Sequence, residues 1–129
     1  MPRLGERFLT LELAGRGASG EVFRGIDEQT SEVIAIKVFT ADTADAERLE
    51  RFLREARLLS EITHKNVVRY VGHGVEPDGR GYLAVEWLEG EDLAQRSKRA
   101  PLSGTQIVDL VKQVASGLHA LHEKGVVHR

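Results

Sequence analysis

Residues 8–14, FLTLELA, alternate apolar and polar positions, the mark of a strand with one wet face. GRGASG at 15–20 interrupts, and Val22-Phe23-Arg24-Gly25-Ile26 then resumes an extended pattern. The polar run DEQTS at 27–31 predicts a turn. EVIAIKVF at 32–39 is β-branched and apolar, so it reads as a third, more buried strand. Short connections make these three an antiparallel meander. The period then changes: Leu49, Phe52, Leu53, Ala56, Leu59 and Ile62 recur at helical spacing. Asp42 or Thr43 offers an N-cap, Asp45 and Glu47 fall in the first turn, and the helix is predicted to run to about Thr63.

VVRYVGHGV (67–75) and RGYLAVEWL (80–88) predict two further strands around the turn EPDG. A short polar helix is predicted over 91–98, and Pro101 marks a break. Ser103 and Gln106 form a capping-box signature ahead of a helix over 104–124. Its apolar stripe is Ile107, Leu110, Val111, Val114, Leu118 and Leu121, and Gly125 stands where a left-handed residue would end it. The order is thus three strands, a helix, two strands, then helices. The polar, breaker-rich stretch GEDLAQRSKRAPLSG at 90–104 separates the two compositions. The expected division is therefore 1–89 and 90–129.

Composition narrows the function classes. A chain of 129 residues suits one domain, and 41% apolar with 29% charged residues suits a globular one. Eighteen basic against twenty acidic residues leave a net charge of −2, which supplies no electrostatic pull toward nucleic acid or an anionic membrane. The absence of cysteine excludes disulfides and thiolate metal sites and fits a reducing, cytoplasmic setting. No apolar run is long enough for a membrane span, and MPRLGERFLTLEL lacks a signal-peptide core.

Two features carry chemistry. GRGASGEV fits G-x-G-x-x-G-x-V at Gly15, Gly17, Gly20 and Val22. In a dinucleotide-binding unit a helix follows the glycines. Here a strand follows, which disfavours that reading. A flap between antiparallel strands lets backbone N–H groups approach phosphate oxygens where a Cβ would block them. The same residues also fit an ordinary glycine-rich hairpin.

The second feature is a pair of misplaced charges. Alternation puts Val33, Ala35, Lys37 and Phe39 on one face of the third strand and Ile34, Ile36 and Val38 on the other. An ammonium in such a strand asks for an anion. Glu55 falls between Leu59 and Ile62 on the helical wheel, inside the apolar arc, and asks for a cation. The two charges explain each other as a pair. The alternative is that Lys37 snorkels out at a sheet edge and Glu55 sits on the rim of its stripe.

Taken in order, GRGASGEV, VIAIK, the helix bearing Glu55, HKNVVRY, YLAVEWLEGEDL and GLHALHEKGVVHR resemble the successive signatures of a eukaryotic-type (Hanks-type) protein kinase. The style is most similar to the bacterial Ser/Thr kinases, and the likeness runs from about Phe8 to Arg129. It implies an α+β fold: an N-lobe of five antiparallel strands plus helix C, then the hinge and the first two helices, D and E, of a C-lobe. It implies a transferase that moves a phosphoryl group from ATP to a hydroxyl of a protein substrate.

The resemblance assigns roles by position. The flap over the ATP phosphates would be Gly15, Arg16, Gly17, Ala18, Ser19 and Gly20. Lys37 would contact the α- and β-phosphates and pair with Glu55. Val22 and Ala35 match the apolar roof over adenine, and Val85 the gatekeeper behind it. Glu86 and Leu88 match the residues whose backbone C=O and N–H read the adenine edge, and Asp92 the polar position near the ribose. Trp87 reads as partly exposed packing. His119 and His122 lie three apart on a helix without a third ligand, so packing and capping are expected of them and no metal site is expected.

The family motif H-R-D-x-x-x-x-N breaks off here at His128-Arg129, so its aspartate would follow Arg129. The asparagine and the Asp-Phe-Gly aspartate that hold Mg²⁺ in the family are also not among these residues. A positioned general base alone is worth about 10²- to 10⁴-fold, so the 129-residue polypeptide is expected to be inactive by itself. The stripe Ile107–Leu121 is expected to be loosely held, aggregation-prone or covered by a partner over 104–124. The alternative to a fragment of an active kinase is a non-catalytic ATP-binding or protein-interaction module built on a kinase N-lobe.

Overall fold

The computed structural model describes residues 3–17, 20–39 and 46–126. The chain runs β1 (Arg3–Leu4), β2 (Phe8–Gly17), β3 (Gly20–Asp27), β4 (Glu32–Phe39), α1 (Ala46–Ser60), β5 (Tyr70–Val75), β6 (Gly81–Glu86), α2 (Leu93–Arg99) and α3 (Gly104–Glu123). One antiparallel sheet holds all the strands in the order β1-β2-β3-β4-β6-β5. The five long strands and the helix between the third and fourth of them match the α+β architecture expected for a kinase N-lobe and the start of a C-lobe.

Strand β1 was not expected. Two residues are too few to show a period. It exists because Gly5 and Glu6 take φ of 60° and 59° while Arg7 N–H donates to the Leu4 carbonyl at 3.3 Å. That is a tight hairpin turn of the kind that matches strand twist.

Alternation along β4 survives in the fold. Ile34, Ile36 and Val38 are buried and join Leu4, Phe8, Tyr82 and Ala84 in the core on one face of the sheet, with Phe23 and Val71 packed against it. One buried charge belongs to that side. Asp27 is 1% exposed and receives both Nε and NH2 of Arg7, at 2.9 and 2.8 Å. The Arg7 hydrogen bond, chiefly, holds the Asp27 carboxyl below its ordinary pKa, against the opposing effect of burial. The pair ties the first turn of the sheet to the β3–β4 connection.

The opposite face carries α1. Phe52 of α1 stacks on Phe39 of β4 with ring centroids 5.5 Å apart, and Ala56 is 2% exposed. The helix stops at Ser60 rather than Thr63. Its end tightens into three-residue turns, with Glu61 N–H on Leu58 O and Ile62 N–H on Leu59 O, both at 3.1 Å. The N-cap expected at Asp42 or Thr43 lies outside the described residues.

Beyond the sheet, local signals were accurate. Ser103 and Gln106 close a reciprocal capping box at the start of α3. Gly125, at φ 82°, ends it. Gly125 N–H reaches His122 O at 3.0 Å and Val126 N–H reaches Leu121 O at 3.0 Å, both bonds of a Schellman motif. The apolar stripe of α3 is only partly covered: Ile107, Val111 and Val114 are 47%, 60% and 50% exposed.

Candidate functional site

Cross-strand partners in an antiparallel ladder share a face. Val22 pairs with Lys37 and Arg24 with Ala35. Ala35 pairs in turn with Val85, and Lys37 with Leu83. On the other side of β3, Gly15 pairs with Val22 beyond a register shift. Gly15, Val22, Ala35, Lys37 and Val85 therefore stand on one face of four adjacent strands, away from the Ile34–Ile36 core. Three separate stretches of sequence converge there.

The glycine turn closes with Gly17 opposite Gly20. Ala18 and Ser19 lie outside the described residues. Arg16 Nε meets Glu21 Oε2 at 3.1 Å across the hairpin, beside a shallow depression lined by Arg16, Gly17, Gly20 and Glu21. The three glycines have different reasons to be glycine. Gly20 has φ 145°, and an added Cβ would collide with the Val38 carbonyl. An added Cβ at Gly15 or Gly17 would meet nothing within 4 Å. Packing within the chain does not demand glycine at those two positions, whereas close approach of a ligand would.

Lys37 and Glu55 line the same cavity, about 430 Å³, with Phe52, Ala56, Leu83 and Leu118 among its walls. The expected ion pair is not formed. Among the described residues no hydrogen bond or salt bridge joins them. Glu55 is exposed and Lys37 half-buried, so water solvates the carboxylate, and an exposed pair is worth only about 0–1 kcal/mol. Glu55 thus stands at the rim of the α1 stripe, although it opens onto the cavity that Lys37 reaches.

The connection after β6 is held by local hydrogen bonds of Glu86, Trp87 and Asp92. Glu86 N–H donates to Arg69 O at 3.0 Å, and Glu86 Oε1 accepts Arg69 N–H at 2.9 Å. The Trp87 indole N–H reaches Glu89 Oε1 at 3.0 Å, while Leu88 is 67% exposed. Asp92 N-caps α2: its Oδ1 accepts Gln95 N–H at 2.8 Å, and Gln95 Oε1 accepts Asp92 N–H at 3.2 Å. D-x-x-Q is a capping signature that the sequence carries at 92–95.

The loop 61–69 docks on α3 through polar groups that periodicity does not reveal. His64 Nε2 and Ser116 Oγ are 3.0 Å apart, and Asn66 Nδ2 donates to Gln113 Oε1 at 3.3 Å. Gly117 is buried, and a Cβ on it would come within 2.8 Å of the Asn66 carbonyl. A glycine inside an apolar helical stripe was the available signal. Asn66 Oδ1 is buried without a hydrogen-bond partner among the described residues.

His119 and His122 are exposed rather than packed. His119 Nε2 lies 3.0 Å from Glu123 Oε1, one turn on. Among the described residues no three His, Cys, Asp or Glu side chains are grouped to hold a metal. No helix among the described residues is long and apolar enough to cross a membrane.

This geometry agrees with what the chain resembles. The protein kinase domain family matches residues 8–129, so the chain belongs to the protein kinase family. It is 41% identical over 124 residues to the serine/threonine-protein kinase pkn2 of Myxococcus xanthus, covering 95% of this chain and 15% of that protein. It is 36% identical over 119 residues to pkn3 of the same organism, covering 91% and 22%. PknH of Mycobacterium bovis is 37% identical over 119 residues, covering 91% and 20%. The chain thus spans less than a quarter of the length of each of these relatives.

Proposed function

We propose that this chain is the ATP-binding part of a serine/threonine protein kinase. Residues 1–89 form the N-lobe with its hinge, and 90–129 begin the C-lobe. Gly15 to Gly20 cover the phosphates, and Lys37 contacts them. Val22 and Ala35 roof the adenine, and Val85 closes the back of its slot. Glu86 and Leu88 read its edge through their backbones, and Asp92 lies toward the ribose. Glu55 pairs with Lys37 when the cavity between them narrows. The observation that carries this reading is the shared face of Gly15, Val22, Ala35, Lys37 and Val85, with a lysine that has no acidic partner among the described residues. ATP supplies the phosphoryl group, a protein hydroxyl receives it in the longer kinase, and the setting is cytoplasmic.

Residues 1–129 are proposed to bind nucleotide, and none of them is proposed as the general base that phosphoryl transfer needs. Calorimetric titration with ATP tests the first half. Saturable binding is expected, weakened at least tenfold by Lys37→Ala, since a charge-assisted phosphate contact is lost. Equal affinity in that variant defeats the reading. Radiolabel transfer to a basic protein above the Lys37→Ala background defeats the second half.

A second reading, a non-catalytic interaction module, draws on the exposed row Ile107, Val111 and Val114, which a partner over 104–124 would cover. It gains ground if ATP fails to bind.

A further inference from the structure

The face that carries Val22, Ala35, Lys37 and Val85 also carries Arg24. Arg24 pairs with Ala35 across β3 and β4, so it stands beside Val22 and Ala35, one step nearer the connection after β6. Its guanidinium has two neighbours of complementary chemistry. Glu12 Oε1 of β2 lies 3.7 Å from NH1. The Trp87 ring lies beneath it, its centroid 5.9 Å from the guanidinium carbon. The side chain is 35% exposed, so part of its stem is covered while the charged head reaches water. Trp87 is also tied through its indole N–H to Glu89. The contact therefore joins the β2–β3 hairpin, which carries the glycine flap, to the segment 86–89.

That segment needs such a tie. Leu88 is 67% exposed, and no regular element spans 87–92. A flat base bound between Val22 and Ala35 above and this segment beside it would be gripped well only if the separation were set beforehand.

We propose that Arg24 is a positioning residue for the base: by stacking on Trp87 it fixes the backbone of Glu86 to Leu88 relative to the Val22–Ala35 roof. The inference rests on the nucleotide-binding reading above. It assigns Arg24 no contact with phosphate and none with the reacting atoms.

The chain contains a single tryptophan, so its fluorescence reports on the surroundings of Trp87. In Arg24→Ala, Trp87 emission shifts to the red and acrylamide quenches it more strongly. Calorimetry with three probes separates the base end from the phosphate end. ATP and adenosine both weaken about two- to five-fold, the loss expected for one exposed cation–π contact, whereas inorganic tripolyphosphate binds unchanged. Arg24→Lys restores most of the loss. The double variant Arg24→Ala with Trp87→Leu is no weaker than Trp87→Leu alone, because the arginine acts through the indole. The inference is overturned by unchanged adenosine affinity in Arg24→Ala, by an equal loss with tripolyphosphate, or by additive losses in the double variant. If the unaltered chain binds neither ATP nor adenosine, the nucleotide reading fails and this inference with it. If the chain binds both and only the Arg24 effect is missing, the inference fails alone.

Discussion

Strand β4 and helix α3 carry comparable apolar patterns and meet opposite fates. Ile34 and Ile36 are 0% exposed, whereas Val111 and Val114 are 60% and 50% exposed. Both patterns declare a face that water disfavours. The first is met by partners contributed from the whole length of the sheet, from Leu4 to Ala84. The second is met in part, where Leu118 and Leu121 border the cavity under α1 and Leu93 with Leu110 lines a groove beside α2. Amphipathicity records a demand for burial; it does not identify what supplies it.

The contrast can be broken by mutation. Ile36→Ala removes a fully buried side chain and should destabilise by about 2–5 kcal/mol in urea unfolding. Val111→Ala on α3 should change stability by no more than about 0.5 kcal/mol. Equal losses at the two sites would show that α3 is as integrated as the sheet.

A smaller effect is expected at the buried charge. Asp27→Asn leaves Arg7, whose side chain is 30% exposed, without its bidentate partner, at a cost of about 1–3 kcal/mol once solvent access to Arg7 is allowed for. The pH dependence has a definite sign. Hydrogen bonding from Arg7 lowers the Asp27 pKa from 3.8, so its contribution is complete above that value. It fades as pH falls through the depressed folded value. Acid unfolding of Asp27→Asn should therefore lack part of the slope seen below pH 3.8 in the unaltered chain.

The smallest effect concerns how α1 meets β5. His73 is half-buried and shares a hydrogen bond with the Tyr70 hydroxyl. Burial first, and Arg57 of α1 second, lower its pKa from 6.5. Folding therefore favours the neutral ring, and stability should decline as pH falls from 6.5 toward the depressed value. His73→Phe should flatten that part of a thermal-melt profile while leaving the range above pH 7 unchanged. A slope that persists in the variant would assign it to another group.

Much of the fold was legible because its signals are local. The Ser103–Gln106 box, the Gly125 stop, the EPDG turn and the two faces of β4 are set by residues within a few positions of one another. Missed features arise from distant contacts or unusual backbone. Glu6 at φ 59° is a residue type that rarely makes such a turn, so β1 was invisible. The Arg7–Asp27 pair and the docking of Asn66 on Gln113 span 20 and 47 residues, and neither has a periodic trace. The candidate site divides the same way. Motif order singled out its glycines, Lys37 and Glu55. The part of Arg24, two positions beyond Val22 and outside any motif, appears only once β3 is laid beside β4 and Trp87 is brought across.

From the sequence alone came the elements, their order, the faces they would bury and the family they resemble, because steric and hydrophobic preferences of neighbouring residues act within each segment. The tertiary structure decided which charges meet. It paired Arg7 with Asp27 and Arg24 with Glu12 and Trp87, and left Lys37 and Glu55 lining one cavity without an ion pair. Such pairings depend on distance and solvent exposure in three dimensions, quantities that spacing along a chain does not contain.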